Sequence, residues 1–178
     1  MVRDIPTYDP EAVAPLRAQL HDVGFRDLFT PEQVDEAIVA PGTTLVVLNS
    51  VCGCSAGSAR PGIGAGLQNA RIPDRLVALF AGQEKTAVNH LRATYLADLA
   101  PSSPNILLFQ DGKRVLALER AHIQQMDADD IAEVLVRVFD EFCSSKGPSI
   151  PTERYETLEF ARSCGSKIAR MDGNPGSC

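Results

Sequence analysis

Two of the five cysteines stand together as Cys52-Gly53-Cys54, directly after the apolar run Thr43 to Asn49 and before a helical segment that opens near Ser55. Only a thiolate attacks a disulfide sulfur, so a reactive pair needs surroundings that favour the ionised form. A turn between a strand and its crossover helix supplies them, because the first N–H groups of the helix are free and the positive end of its dipole lies there. Glycine between the two cysteines tolerates backbone angles that other residues resist. A disulfide closing this cramped ring is therefore feasible, strained and readily reduced. Arg60, about two turns further on, offers positive charge to the pair, but reads first as a solvated helix charge.

Other residues offer alternatives. Pro104 in Pro101-Ser-Ser-Pro104 stands at the start of a strand, where a cis peptide can bring backbone close to the sulfur pair. Cys52 and Cys54 are also two soft ligands for zinc or an iron–sulfur cluster, with Cys143, His90 or His122 as candidate partners. No second C-x₂-C is present and the histidines are scattered, so no ligand set is visible. Gly62-Ile-Gly-Ala-Gly66 raises nucleotide binding, but its glycines fall inside a helix while cysteines occupy the turn where a phosphate fingerprint belongs. Cys164 and Cys178, near the C-terminus, read as bystanders.

The elements that must hold the pair follow from periodicity. Val13, Leu16, Leu20 and Val23 share one face of a helix from Pro10 to Val23, and Thr30-Pro-Glu-Gln33 opens a second short helix that Pro41-Gly42 ends. Thr43 to Asn49 and Arg75 to Phe80 are β-branched or apolar runs of buried-strand type. Between them, Ser55 to Asn69 reads as a helix of poor propensity, loosened by Gly62, Gly64 and Gly66 and kinked near Pro61. Glu84 to Leu96 is a helix. Asn105 to Phe109 and Arg114 to Leu118 flank Asp111-Gly112, a strong hairpin signal. Asp127 to Cys143 is a helix turning Ile131, Leu135, Val138, Phe139 and Phe142 inward. The order β-α-β-α-β-β-α after an N-terminal helical extension specifies an α/β fold with a mixed central sheet and helices on both faces. Residues 144–178 change to linker composition and read as an appendage to the 1–143 domain, with one short helix at Thr152 to Arg162.

Composition narrows the function. Against 17 Lys and Arg stand 23 Asp and Glu, a formal net charge of −6, which counts against nucleic acid as a partner. No run approaches the ~20 apolar residues of a membrane span. The polar N-terminus lacks the apolar core of a secretory signal, so a cytoplasmic protein is expected, in which thiols stay reduced.

The stretch Asn49-Ser-Val-Cys-Gly-Cys-Ser-Ala-Gly-Ser-Ala-Arg-Pro61, with Phe80-Ala-Gly-Gln83, Pro101-Ser-Ser-Pro104 and Asp140-Glu-Phe-Cys143, resembles the bacilliredoxins over roughly residues 8 to 143. The resemblance implies a three-layer thioredoxin-like sandwich and thiol–disulfide exchange that removes bacillithiol from mixed disulfides on client proteins. It implies Cys52 as exposed nucleophile, Cys54 as its partner, Gly53 between them and Pro104 as the cis-proline beside them. The implied partners are S-thiolated clients and a low-molecular-weight thiol, with no metal or nucleotide cofactor. Cys143 matches a cysteine at the end of the family's core and receives no catalytic step.

Overall fold

A computed structural model describes residues 4–160 and 170–171. In chain order the elements are α1 (Pro10–His21), β1 (Arg26–Asp27), α2 (Pro31–Val39), β2 (Thr43–Asn49), a π-helical turn (Ser55–Ala59) running into α3 (Arg60–Gly66), β3 (Arg71–Ile72), β4 (Arg75–Phe80), α4 (Lys85–Tyr95), β5 (Asn105–Gln110), β6 (Lys113–Leu118), α5 (Arg120–Ile123), α6 (Ala128–Phe142), β7 (Ser145–Lys146) and α7 (Thr152–Tyr155).

Five strands form the central sheet in the order β1-β4-β2-β5-β6. The first three are parallel, and β5 and β6 run antiparallel to their neighbours. All seven residues of β2 are buried, because helices cover both faces of the sheet. The pleat sends Leu45 and Val47 into a core with α3 and α6, and Val46 and Leu48 into a second core with α2 and α4. This is the three-layer, thioredoxin-like α/β sandwich. Asp111 and Gly112 both have positive φ, as a two-residue hairpin turn between β5 and β6 requires.

The helices begin where their caps stand. Thr30 accepts from Gln33 N to start α2, and Asp127 accepts from Asp130 N to start α6. The short β1, β3 and β7 and the one-turn α5 carry no sequence signal of their own.

Three expectations change. The segment after the cysteines ends its helix at Gly66 rather than Asn69, and its irregularity is the π turn before Pro61. Its glycines bring α3 close to its neighbours rather than loosening it. A Cβ on Gly62 would stand 2.7 Å from Ile131 Cβ, one on Gly66 3.0 Å from Leu135 Cβ, and one on Gly64 2.8 Å from the Phe160 ring. Close approach of helix axes is what the missing side chains allow. The helix expected at Thr152 to Arg162 is the single turn Thr152–Tyr155, and residues 161 and 162 lie outside the described residues. Residues 145 to 160 lie against the body: β7 pairs with β3, and Tyr155, Leu158 and Phe160 pack on the α3–α6 core.

Candidate active site

The cysteines follow the C-terminal end of β2, where Asn49 at the strand's end, Ser50 after it and Ser55 in the π turn are buried polar residues. The Cys52 carbonyl accepts from Ser55 N at 3.0 Å and Ala56 N at 3.3 Å, so Cys52 opens the helical segment and the pair sits at its N-terminal end. Ser50 Oγ accepts from Cys52 N at 2.9 Å, which fixes the turn.

Cys52 Sγ and Cys54 Sγ are 2.9 Å apart, a hydrogen-bonded pair of free thiols. Cys52 is only 6% exposed, while Cys54 is partly exposed. The exposed position expected for Cys52 is corrected here: Val51, Val13, Leu16 and Phe80 form a small apolar cluster that draws this end of the turn inward. Burial, the hydrogen bond to Cys52 and the charge of Cys52 push the Cys54 thiol well above the usual thiol range. Arg120 on α5 opposes that shift in part. Cys54 therefore keeps its proton at neutral pH and can donate it to the Cys52 sulfur.

Beneath the turn lies a residue that the sequence reading placed in solvent. Arg60 is 1% exposed. Helical side chains lean toward the N-terminus, and that direction carries the guanidinium back under the cysteines. The π turn sets its backbone, with Arg60 N donating to Ser55 O. Its Nε donates to Gln19 Oε1 at 2.5 Å, and its Nη1 to Asn49 Oδ1 at 3.0 Å, Ser50 O at 3.1 Å and Ser55 Oγ at 2.9 Å. Charged residues are almost never fully buried unless paired, so a solvated Arg60 was the ordinary expectation and its burial departs from it. The signal that could have found it was the set of polar residues, Asn49 and Ser55, where a core expects apolar ones.

Opposite the turn, the Ser103–Pro104 peptide is cis. Leu48 pairs with Asn105, so extending the antiparallel register puts Pro104 beside Asn49, at the level where the chain turns toward Cys52. A cleft of about 220 Å³ opens there, lined by Ser50, Val51, Gly82, Ser103, Tyr8 and Arg170.

The candidate metal ligands are not brought together. Cys143 is buried at the end of α6 beside Thr43 and Asp74, and burial raises its thiol to about 11. His90 Nε2 bonds to Asp35 Oδ1 at 2.7 Å, and His122 Nδ1 accepts from Glu119 N. Among the described residues no group of three or more His, Cys, Asp or Glu could hold a metal ion. Cys164 and Cys178 lie outside the described residues.

A thioredoxin-like sheet with two free thiols at the turn from its central strand defines a thiol–disulfide oxidoreductase. Comparison with known proteins gives the family. The family described as Disulphide isomerase matches residues 8–143. A bacilliredoxin of Cytophaga hutchinsonii is 46% identical over 134 residues, covering 75% of this chain and 98% of that protein. One from Salinibacter ruber is 42% identical over 144 residues (79% and 84%), and one from Halalkalibacterium halodurans 42% over 137 (76% and 94%). The chain belongs to the bacilliredoxin family.

Proposed function

We propose that this oxidoreductase removes a low-molecular-weight thiol of bacillithiol type from S-thiolated client proteins, with Cys52 as nucleophile and Cys54 as its partner. The observation that carries the reading is the 2.9 Å thiol pair, of which Cys54 has the raised thiol. The Cys52 thiolate attacks the low-molecular-weight sulfur of the mixed disulfide. A new S–S bond forms, the old one breaks, and the client leaves as a thiolate that takes a proton from water. Cys54 then gives up its proton and attacks Cys52, releasing the small thiol and leaving the strained Cys52–Cys54 ring; alternatively a second small thiol attacks the outer sulfur of the adduct, forming a small-molecule disulfide and freeing Cys52 as a thiolate. Gly53 lets that ring close, Ser103 lines the adjoining cleft, and Pro104, beside Asn49 in the extended register, supports that end of the site.

The exchange itself draws on no metal or nucleotide, and its clients and thiol pool belong to a reducing cytoplasm. Residues 1–143 form the exchange domain and residues 144–178 an addition to it. No helix among the described residues is long and apolar enough to cross a membrane.

Intact mass spectrometry tests the reading. Reduced protein, Cys52→Ser and Cys54→Ser are each mixed with a client capped by bacillithiol. The adduct is expected to move to wild type or to Cys54→Ser, with uncapping of the client, and not to Cys52→Ser. An adduct on Cys52→Ser, or no transfer to any form, would contradict it.

A further inference from the structure

We propose that Arg60 is the buried counter-charge of the Cys52 thiolate, a positioning residue that holds the attacking sulfur ionised from beneath the Cys52-Gly53-Cys54 turn. The inference rests on the exchange reading above and adds what makes the sulfur reactive.

Three observations converge on it. Arg60 is among the largest fully buried side chains of the protein. All four of its hydrogen-bond acceptors, on Gln19, Asn49, Ser50 and Ser55, are neutral, and it forms no ion pair among the described residues. Those acceptors bracket the cysteines: Asn49 and Ser50 precede them, Ser55 follows them, and Ser50 also receives Cys52 N. A buried guanidinium without an anion bears the full cost of leaving water. The groups whose negative charge would reach it are the two cysteines, and of these Cys54 holds its proton at neutral pH. Burial brings the guanidinium down to about 10, so it still carries its charge at neutral pH.

The charged groups around the pair are few. From α3 comes Arg60 and from α5 Arg120, whose charge acts on Cys54; α1 presents Gln19, and β2 ends in Asn49, both neutral. No carboxylate among the described residues is hydrogen-bonded to either sulfur or to Arg60. Ionising Cys52 therefore gives Arg60 an anion inside the protein, and protonating it, or closing the Cys52–Cys54 disulfide, takes that anion away.

The test is alkylation of Cys52 by iodoacetamide against pH, followed on the Cys52 peptide by mass spectrometry so that the other thiols do not contribute. Gln19→Glu is the sharpest variant. It preserves the bond to Arg60 Nε and gives the guanidinium a carboxylate of its own, so a merely structural role for Arg60 would be kept or strengthened. The expected result is that the Cys52 profile moves up by roughly one pH unit or more in Gln19→Glu and in Arg60→Gln, with Arg60→Lys staying closer to wild type. Coincidence of the profiles of wild type and folded Gln19→Glu would overturn the proposal, as would a shift in Arg60→Lys as large as in Arg60→Gln. Alkylation needs no client or exchange. A protein that shows the shift but transfers no bacillithiol therefore removes the exchange reading and leaves this electrostatic one standing.

Discussion

Two guanidinium groups meet the buried side of α1, and they are answered in opposite ways. Arg17 pairs with Glu84 and lies 3.3 Å from Asp27, which also holds His21 at 2.9 Å, while its guanidinium sits 5.2 Å above the Phe80 ring. Glu84 Oε2 in turn accepts from Phe80 N at 2.8 Å. Arg60, bonded to Gln19 on the same helix, finds only amides, a carbonyl and a hydroxyl. The first cluster meets its cation with two carboxylates and ties α1 to the loop after β4. The second leaves a positive charge for an anion that exists only when Cys52 is ionised. The same residue type thus serves architecture in one place and reactivity in the other.

Removing a sulfur should separate the regions most completely. Cys52→Ser is expected to reduce client uncapping to the uncatalysed rate while leaving the urea midpoint near that of wild type, a comparison that thiol quantification and denaturation make together. Breaking the Arg17 cluster should do the reverse. Arg17→Met leaves Glu84 buried without its cation and is expected to cost about 3 kcal/mol of stability in urea unfolding, with little change in the Cys52 alkylation profile.

That variant also has a signed pH dependence. Burial already raises the Glu84 carboxyl above 4.5, against the pull of Arg17. Where the folded value exceeds the unfolded one, the native state holds the proton longer and stability falls as pH rises through that window. Without Arg17 the window widens. Arg17→Met should therefore lose more stability than wild type as pH rises above the ordinary carboxylate range, and adding Glu84→Gln should abolish the extra loss.

Smaller effects come from the helix behind the cysteines. Gly62→Ala drives a methyl to 2.8 Å from the Ala128 carbonyl and should destabilise by about 1–3 kcal/mol, displacing the turn that α3 supports and slowing exchange. Gly57→Ala, on the exposed side of the π turn, meets nothing within 4 Å. It should stabilise by up to about 1 kcal/mol without changing exchange, and thermal unfolding of the two variants side by side checks both signs.

What could be read before the structure was whatever depends on neighbouring residues. The apolar run of β2, the Asp111-Gly112 hairpin and the cap residues Thr30 and Asp127 all announce themselves within a few positions. The strand-to-helix turn that carries the thiols follows from the same local pattern. Features set by distant partners were illegible. The two-residue strands β3 and β7 exist because Arg71 meets Lys146, and nothing in either dipeptide says so. Glycines that weaken an isolated helix were read as loosening α3, since propensity is local and contact with Ile131 is not. The solvated position preferred for Arg60 failed for the same reason, its partner Gln19 lying 41 residues earlier.

The central claim is that charge, and not exposure, decides which sulfur attacks. Cys54 is the more exposed of the two but its thiol is raised, while Cys52 is only 6% exposed. Limited alkylation of the reduced protein at pH 7, with the first label located by peptide mass spectrometry, separates them. The label is expected on Cys52, with Cys54 modified only afterwards. A first label on Cys54 would contradict the account, because the protonated partner would then be the reactive thiol.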